Sequence, residues 1–177
     1  MQGFVRNLQD PSAVLMLAGP SVAAVADDPE GGQVLTQVIA AWKRLPEFLR
    51  RRVHIACLPM ADREENAAIV NALQRHATIV VQKSLHEGFG LPVAEAMAAG
   101  VPVVTSNGSS LPEIAGDAAL LVDPQSVDAI AAAMRRFVDD DVLRAERIQR
   151  GLTRSRQFTW RRAAERTVEC YRAALRA

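Results

Sequence analysis

The 177 residues carry 21 Lys and Arg against 20 Asp and Glu, a formal net charge of +1, so no strong field favours nucleic acid or an anionic membrane. Apolar residues make up 49% and charged residues 23%, the balance of an ordinary globular protein, and the length suits one domain with a sizeable core. Two cysteines, Cys57 and Cys170, and three histidines, His54, His76 and His86, show neither a disulfide framework nor metal-ligand spacing; the expectation is a cytoplasmic protein without a metal or other cofactor. No apolar run reaches membrane-spanning length, and the N-terminus lacks a signal-peptide core.

In chain order, Val14 to Ala18 is a short apolar run closed by Gly19-Pro20 and reads as a buried strand. Asp27 to Gly32 reads as a loop. Val34, Val38, Ile39, Ala41 and Trp42 recur at helical spacing until Pro46 interrupts. Val53 to Leu58 reads as a strand, and Asp62 as the cap of a helix carrying Ala68, Ile69, Ala72 and Leu73 on one side. Strand 78–82 precedes a loop and an apolar helix, Leu91 to Ala99; strand Val101 to Thr105 and the polar turn Ser106 to Ser110 follow. Ser110-Leu111-Pro112-Glu113 matches a capping box. After a last strand, Ala119 to Val122, three helices are predicted at about 126–139, 141–154 and 159–176. The final one has an apolar stripe of Trp160, Ala164, Val168, Tyr171 and Leu175. The arginines that crowd the chain from Arg135 to Arg162 read as a solvated face, with a membrane-surface or partner-docking patch as the other reading. Strands alternating with helices imply an α/β fold, a Rossmann-like parallel sheet with helices on both faces.

The richest stretch runs from His86 to Ala96, where Glu87 and Glu95 sit eight residues apart across a Gly88-Phe89-Gly90 turn. Such sheets bind ligands beyond the carboxyl ends of their strands. A helix starting there offers free N–H groups and a positive dipole end to an anion. Glycines at 88 and 90 allow positive φ and a close backbone approach. Pro92 suits the first helical turn, and Leu91 and Val93 retain amides for an anion. Glu95 is the one polar side chain of its helix and reads as an acceptor for ligand hydroxyls, or else as part of a thin exposed stripe. Phe89 reads as a packing anchor for the turn. Asn107, Gly108 and Ser109 read either as a plain turn or as part of the ligand cleft, and Lys83 either as a phosphate partner or as a solvated lysine. A dinucleotide fingerprint is excluded because its third glycine would fall at Val93, and a P-loop because no Gly-Lys-Ser/Thr occurs.

Glu87-Gly88-Phe89-Gly90-Leu91-Pro92 through Glu95-Ala96 resembles the Glu-x7-Glu motif of retaining glycosyltransferases of family 4, GT-B type. Val101 to Val104, Leu111-Pro112-Glu113, Gly116 to Pro124 and Phe158-Thr159-Trp160 extend the resemblance over nearly the whole chain. It implies the C-terminal, donor-binding domain of a two-domain enzyme. By resemblance, Glu95 would hold the ribose hydroxyls of a nucleotide sugar. Glu87, the candidate catalytic residue, would hold sugar hydroxyls near the reacting carbon, and the amides from Gly88 to Val93 would hold the sugar and diphosphate. Leu17 to Val22, His54 to Met60 and Glu65 to Gln74 resemble trehalose synthases and retaining trehalose phosphorylases; Asn107 to Pro124 is similar to bacterial polysaccharide mannosyltransferases. The function implied is transfer of a hexosyl group from a nucleotide sugar to a sugar acceptor, trehalose synthase-like and inactive alone. The alternatives are a phosphorylase-type fragment using glucose 1-phosphate and a non-catalytic interaction domain.

Members of this family begin the domain with a strand and an Arg…Lys pair that has no counterpart here. The chain is therefore expected to be an N-terminally truncated single domain, 1–177. Strands 14–18 and 78–82 should either pair directly or leave a gap, and an exposed sheet edge would invite self-association or a separate N-terminal Rossmann domain. The last helix is expected to lack its usual partner.

Overall fold

The computed structural model describes residues 12–21 and 29–176. They fall into two compact units, divided between Leu73 and Gln74.

In the first unit, β1 (Leu15–Pro20) and β2 (Val53–Leu58) pair in parallel from Leu15↔Val53 to Pro20↔Leu58. β1 thus continues two residues past its expected end, through Gly19 and Pro20; as an edge strand it tolerates the missing proline N–H. Its burial alternates, and Met16 is exposed, so it is not the fully buried strand that its apolar run suggests. The crossover contains α1 (Pro29–Lys43) and the short α2 (Glu47–Arg50). The loop expected at 27–32 lies outside the described residues at 27–28, and from Pro29 it is the first turn of α1, a position where a proline lacks nothing that the helix needs. Trp42 ties α1 to β2 by donating its indole N–H to the Val53 carbonyl at 2.8 Å. α3 (Arg63–His76) is capped by Asp62 as expected, its carboxylate accepting from the amides of Glu64 at 2.8 Å and Glu65 at 3.2 Å.

The second unit holds β3 (Val80–Gln82), β4 (Val103–Ser106) and β5 (Leu120–Val122), parallel and in that order. Period-two alternation sends their side chains to opposite faces. Val80 and Val103 join a core with Val93, Ala96 and Met97 of α4 (Leu91–Ala98) and Leu111, Ile114 and Ala115 of α5 (Leu111–Ala115). Val81, Val104 and Val122 join a second core with Ala133 and Phe137 of α6 (Val127–Asp139). Helices therefore cover both faces of this sheet, as expected. α7 (Asp141–Ser155) approaches α4 where Gly151 is buried; a Cβ there would lie 3.2 Å from Met97 Cγ. α8 (Trp160–Ala174) has no buried residue, and in its apolar stripe Trp160 is 93% exposed and Leu175 88%.

The described strands number five as expected and form two sheets, because β1 and β3 share no ladder; of the two outcomes expected for them, direct pairing is the one not seen. Among the described residues no helix is long and apolar enough to cross a membrane. Phe137 is fully buried between sheet and helices. Phe137→Ala should lower the urea-unfolding free energy by about 3–5 kcal/mol, as large-to-small changes at filled aromatic sites do.

Candidate functional site

β3 ends at Gln82 and α4 begins at Leu91, so the loop 83–90 leaves the carboxyl end of a strand in the three-stranded sheet. The turn into α4 depends on Gly90. Its φ is +98°, which strains any side chain, and an added Cβ would lie 3.0 Å from Leu111 Cδ2, a tight fit. Its carbonyl accepts from the amides of Val93 at 3.0 Å and Ala94 at 3.2 Å. The Val93 amide, expected to serve an anion, is thus already engaged, and its side chain is fully buried. The N–H groups of Gly88, Phe89, Gly90 and Leu91 have no partner among the described residues. The open donors therefore sit in the turn itself and at the first helical residue. Gly88 does not have positive φ; a Cβ there would meet nothing within 4 Å, so its value is an unobstructed approach.

Glu87 is half-buried and held at both its backbone and its side chain. Its N–H donates to Ser109 Oγ at 3.0 Å, and its carbonyl accepts from Ser109 Oγ at 2.7 Å and Ser110 Oγ at 2.9 Å. Gln82 Nε2 donates to the Glu87 carboxylate at 3.3 Å and to Ser84 Oγ at 2.9 Å. Beneath them the buried Thr105 hydroxyl donates to the Gln82 carbonyl at 2.8 Å, and the buried Ser106 hydroxyl to the Ser84 carbonyl. The end of β4 and the loop after it therefore carry the loop after β3 on a row of hydroxyls. Ser109 has φ +59°, the one non-glycine residue with positive φ among those described. Its hydroxyl is committed to the Glu87 backbone, so it supports the loop after β3. The expected capping box does not form, because Ser110 is in the αR region and makes no cap hydrogen bond; its hydroxyl goes to Glu87. Asn107 and Lys83 are exposed, and their side chains make no hydrogen bond or ion pair among the described residues. Gly108 is open on its Cβ side.

On α4, Val93, Ala94, Ala96 and Met97 are buried, whereas Leu91, Glu95 and Ala98 are exposed. That i, i+4, i+7 spacing is one helical stripe, so Glu95 stands in the open one turn beyond Leu91. Phe89 meets Phe158 edge-on, centroids 6.0 Å apart at 84°. The ring is therefore anchored as expected, while 48% of the residue stays exposed.

Of the arginines expected on a solvated face, Arg135, Arg136, Arg156, Arg161 and Arg162 are exposed, whereas three on α7 bind neighbouring elements. Arg154 donates from Nε to the Ile114 carbonyl at 2.7 Å and from Nη2 to the Glu113 carbonyl. Arg147 donates to the Asp117 carbonyl, and Arg150 pairs with the Asp117 carboxylate at 2.7 Å. Helix ends leave carbonyls unpaired, and guanidinium groups supply strong charge-assisted donors to them. The signal was in the sequence: 147, 150 and 154 fall on one helical face. Among the described residues, no group of three or more His, Cys, Asp or Glu is gathered as a metal ion would need.

Ser109→Ala removes the bonds to Glu87 and keeps the strained φ, so thermal unfolding should show a loss of about 1–3 kcal/mol. Ser109→Gly removes the same bonds but relieves the strain, and should lose less.

The family profile of Glycosyl transferases group 1 matches residues 63–154, just over half of the chain. An O-antigen chain mannosyltransferase B from Escherichia coli is 47% identical over 96 residues, 54% of this chain and 25% of that protein. A D-inositol 3-phosphate glycosyltransferase from Streptomyces avermitilis is 31% identical over 173 residues, 97% of this chain and 34% of that protein. The chain thus spans between a quarter and a third of the length of these relatives. Among solved structures, sucrose-phosphate synthase from Thermosynechococcus elongatus superposes with a TM-score of 0.67 at 28% identity, over 98% of this chain and 42% of that one. An α,α-trehalose-phosphate synthase (UDP-forming) from Burkholderia xenovorans, in complex with glucose-6-phosphate, superposes with a TM-score of 0.71 over 88% of this chain and 36% of that one; at 20% identity the likeness is one of fold. The chain belongs to the Glycosyl transferases group 1 family, and its parallel α/β architecture is that of the GT-B glycosyltransferases.

Proposed function

We propose that this chain is the donor-binding part of a retaining, cytoplasmic glycosyltransferase that moves a hexosyl group from a nucleotide sugar to a sugar acceptor. The observation that carries the reading is the group of unpartnered amides from Gly88 to Leu91 between two acids, Glu87 and the exposed Glu95. Amides at a helix start suit a diphosphate, and carboxylates suit hydroxyl donors. Glu95 holds the ribose hydroxyls. Glu87 holds hydroxyls of the transferred sugar, its carboxylate steadied by Gln82. When the bond between the sugar and its diphosphate breaks, negative charge grows on the leaving phosphate oxygen, and the amides of the turn stabilise it. A second Rossmann-type domain supplies the acceptor side, in keeping with the share of its relatives that the chain spans.

The name of the Escherichia coli relative, a mannosyltransferase, favours a mannosyl donor. A trehalose-type acceptor rests on the resemblance of the first half and on the likeness of fold to a trehalose-phosphate synthase.

Calorimetry with GDP-mannose and UDP-glucose tests the assignment. Glu95→Ala should weaken binding by about 10- to 100-fold, the loss of hydrogen bonds to a charged acceptor. Glu87→Ala should weaken the sugar nucleotides but spare GDP and UDP themselves. Unchanged affinity in Glu95→Ala contradicts the ribose role. Binding of glucose 1-phosphate without any nucleotide sugar favours a phosphorylase, and binding of neither favours a non-catalytic domain.

A further inference from the structure

The donor-site reading leaves Arg154 and Phe158 without a role. Arg154 lies in the last turn of α7, and its two donations to the Glu113 and Ile114 carbonyls reach the end of α5. The same guanidinium lies 5.8 Å from the centroid of Phe158. Phe158 in turn meets Phe89 edge-on at 6.0 Å. On the other side, α5 supplies Leu111 and Ile114, the side chains that crowd Gly90. One group therefore touches both supports of the Gly88–Gly90 turn: the helix against which its backbone lies and the ring that anchors Phe89.

We infer that Arg154 is a positioning residue for the donor loop, acting through Phe158 and through α5; the inference rests on the donor reading of that loop. A planar guanidinium can stack on a ring while its edge serves two carbonyls, which an ammonium cannot do. Gly116 leaves room for it. A Cβ at Gly116 would lie 2.9 Å from Arg154 Nε, and its φ of +55° disfavours a side chain there.

The test is amide hydrogen exchange by NMR on the full chain, comparing R154K, F158L and F158Y with the wild type. In R154K and F158L, the protected amides of Glu87, Val93 and Ala94 should exchange about tenfold faster, while amides of the β3–β4 ladder keep their rates. F158Y keeps the ring and should match the wild type. Affinity for UDP or GDP, whichever the wild type binds, should fall in R154K and F158L. Wild-type exchange at the loop in R154K and F158L overturns the inference. So does an equal rise in the ladder, which marks general destabilisation. If the wild type binds neither UDP nor GDP while the loop amides respond as expected, the positioning of the loop stands and its donor role falls.

Discussion

The site depends on how the backbone of Glu87 is held. A loop between a strand and a helix has no ladder of its own, and its polar groups must find partners elsewhere. Here the next loop provides them, with three hydrogen bonds between Glu87 and the hydroxyls of Ser109 and Ser110. Each contributes roughly 1 kcal/mol net, and the left-handed Ser109 costs about 1–3 kcal/mol. The bonds therefore roughly balance or exceed the strain. The sheet makes this possible: β3 and β4 are parallel neighbours, so their following loops emerge side by side.

The rigid frame lies behind that contact. α4 buries one side against β4 and α5, and the buried Gly151 lets α7 approach Met97 closely. What remains exposed on α4 is the stripe through Leu91 and Glu95. A helix buried on most of its surface thus presents one carboxylate in a fixed direction and one open N-terminal amide. Fixed donors and acceptors of this kind recognise a ligand without reorganising, which matters more to affinity than their number.

Much of this was legible in the residues. Val53–Leu58 is the strand that its apolar run announces, and Asp62 caps α3. The turn at Gly90 and the lone acid Glu95 were legible because glycine spacing and a single polar residue on an apolar helix are local signals. Most of the misreadings involve partners distant in sequence. Ser110 has the pattern of a cap, but a carbonyl 23 residues away takes its hydroxyl. Val93 is the local exception: it looked like an open amide, but the Gly90 carbonyl three residues earlier already takes it. The arginines of α7 looked solvated because the carbonyls they serve lie some 30 to 41 positions earlier. For β1 and β3 both outcomes were left open, since no periodicity in either strand reports which strands become neighbours; they do not pair.

The central claim is that the turn from Gly88 to Leu91 is the seat of a nucleotide diphosphate. Titration of the 15N-labelled chain with UDP and with GDP tests it residue by residue. The account predicts saturable shifts concentrated at the amides of Gly88, Phe89, Gly90 and Leu91, with Glu95 moving alongside them. Saturable shifts centred elsewhere, with these amides unmoved, would contradict it.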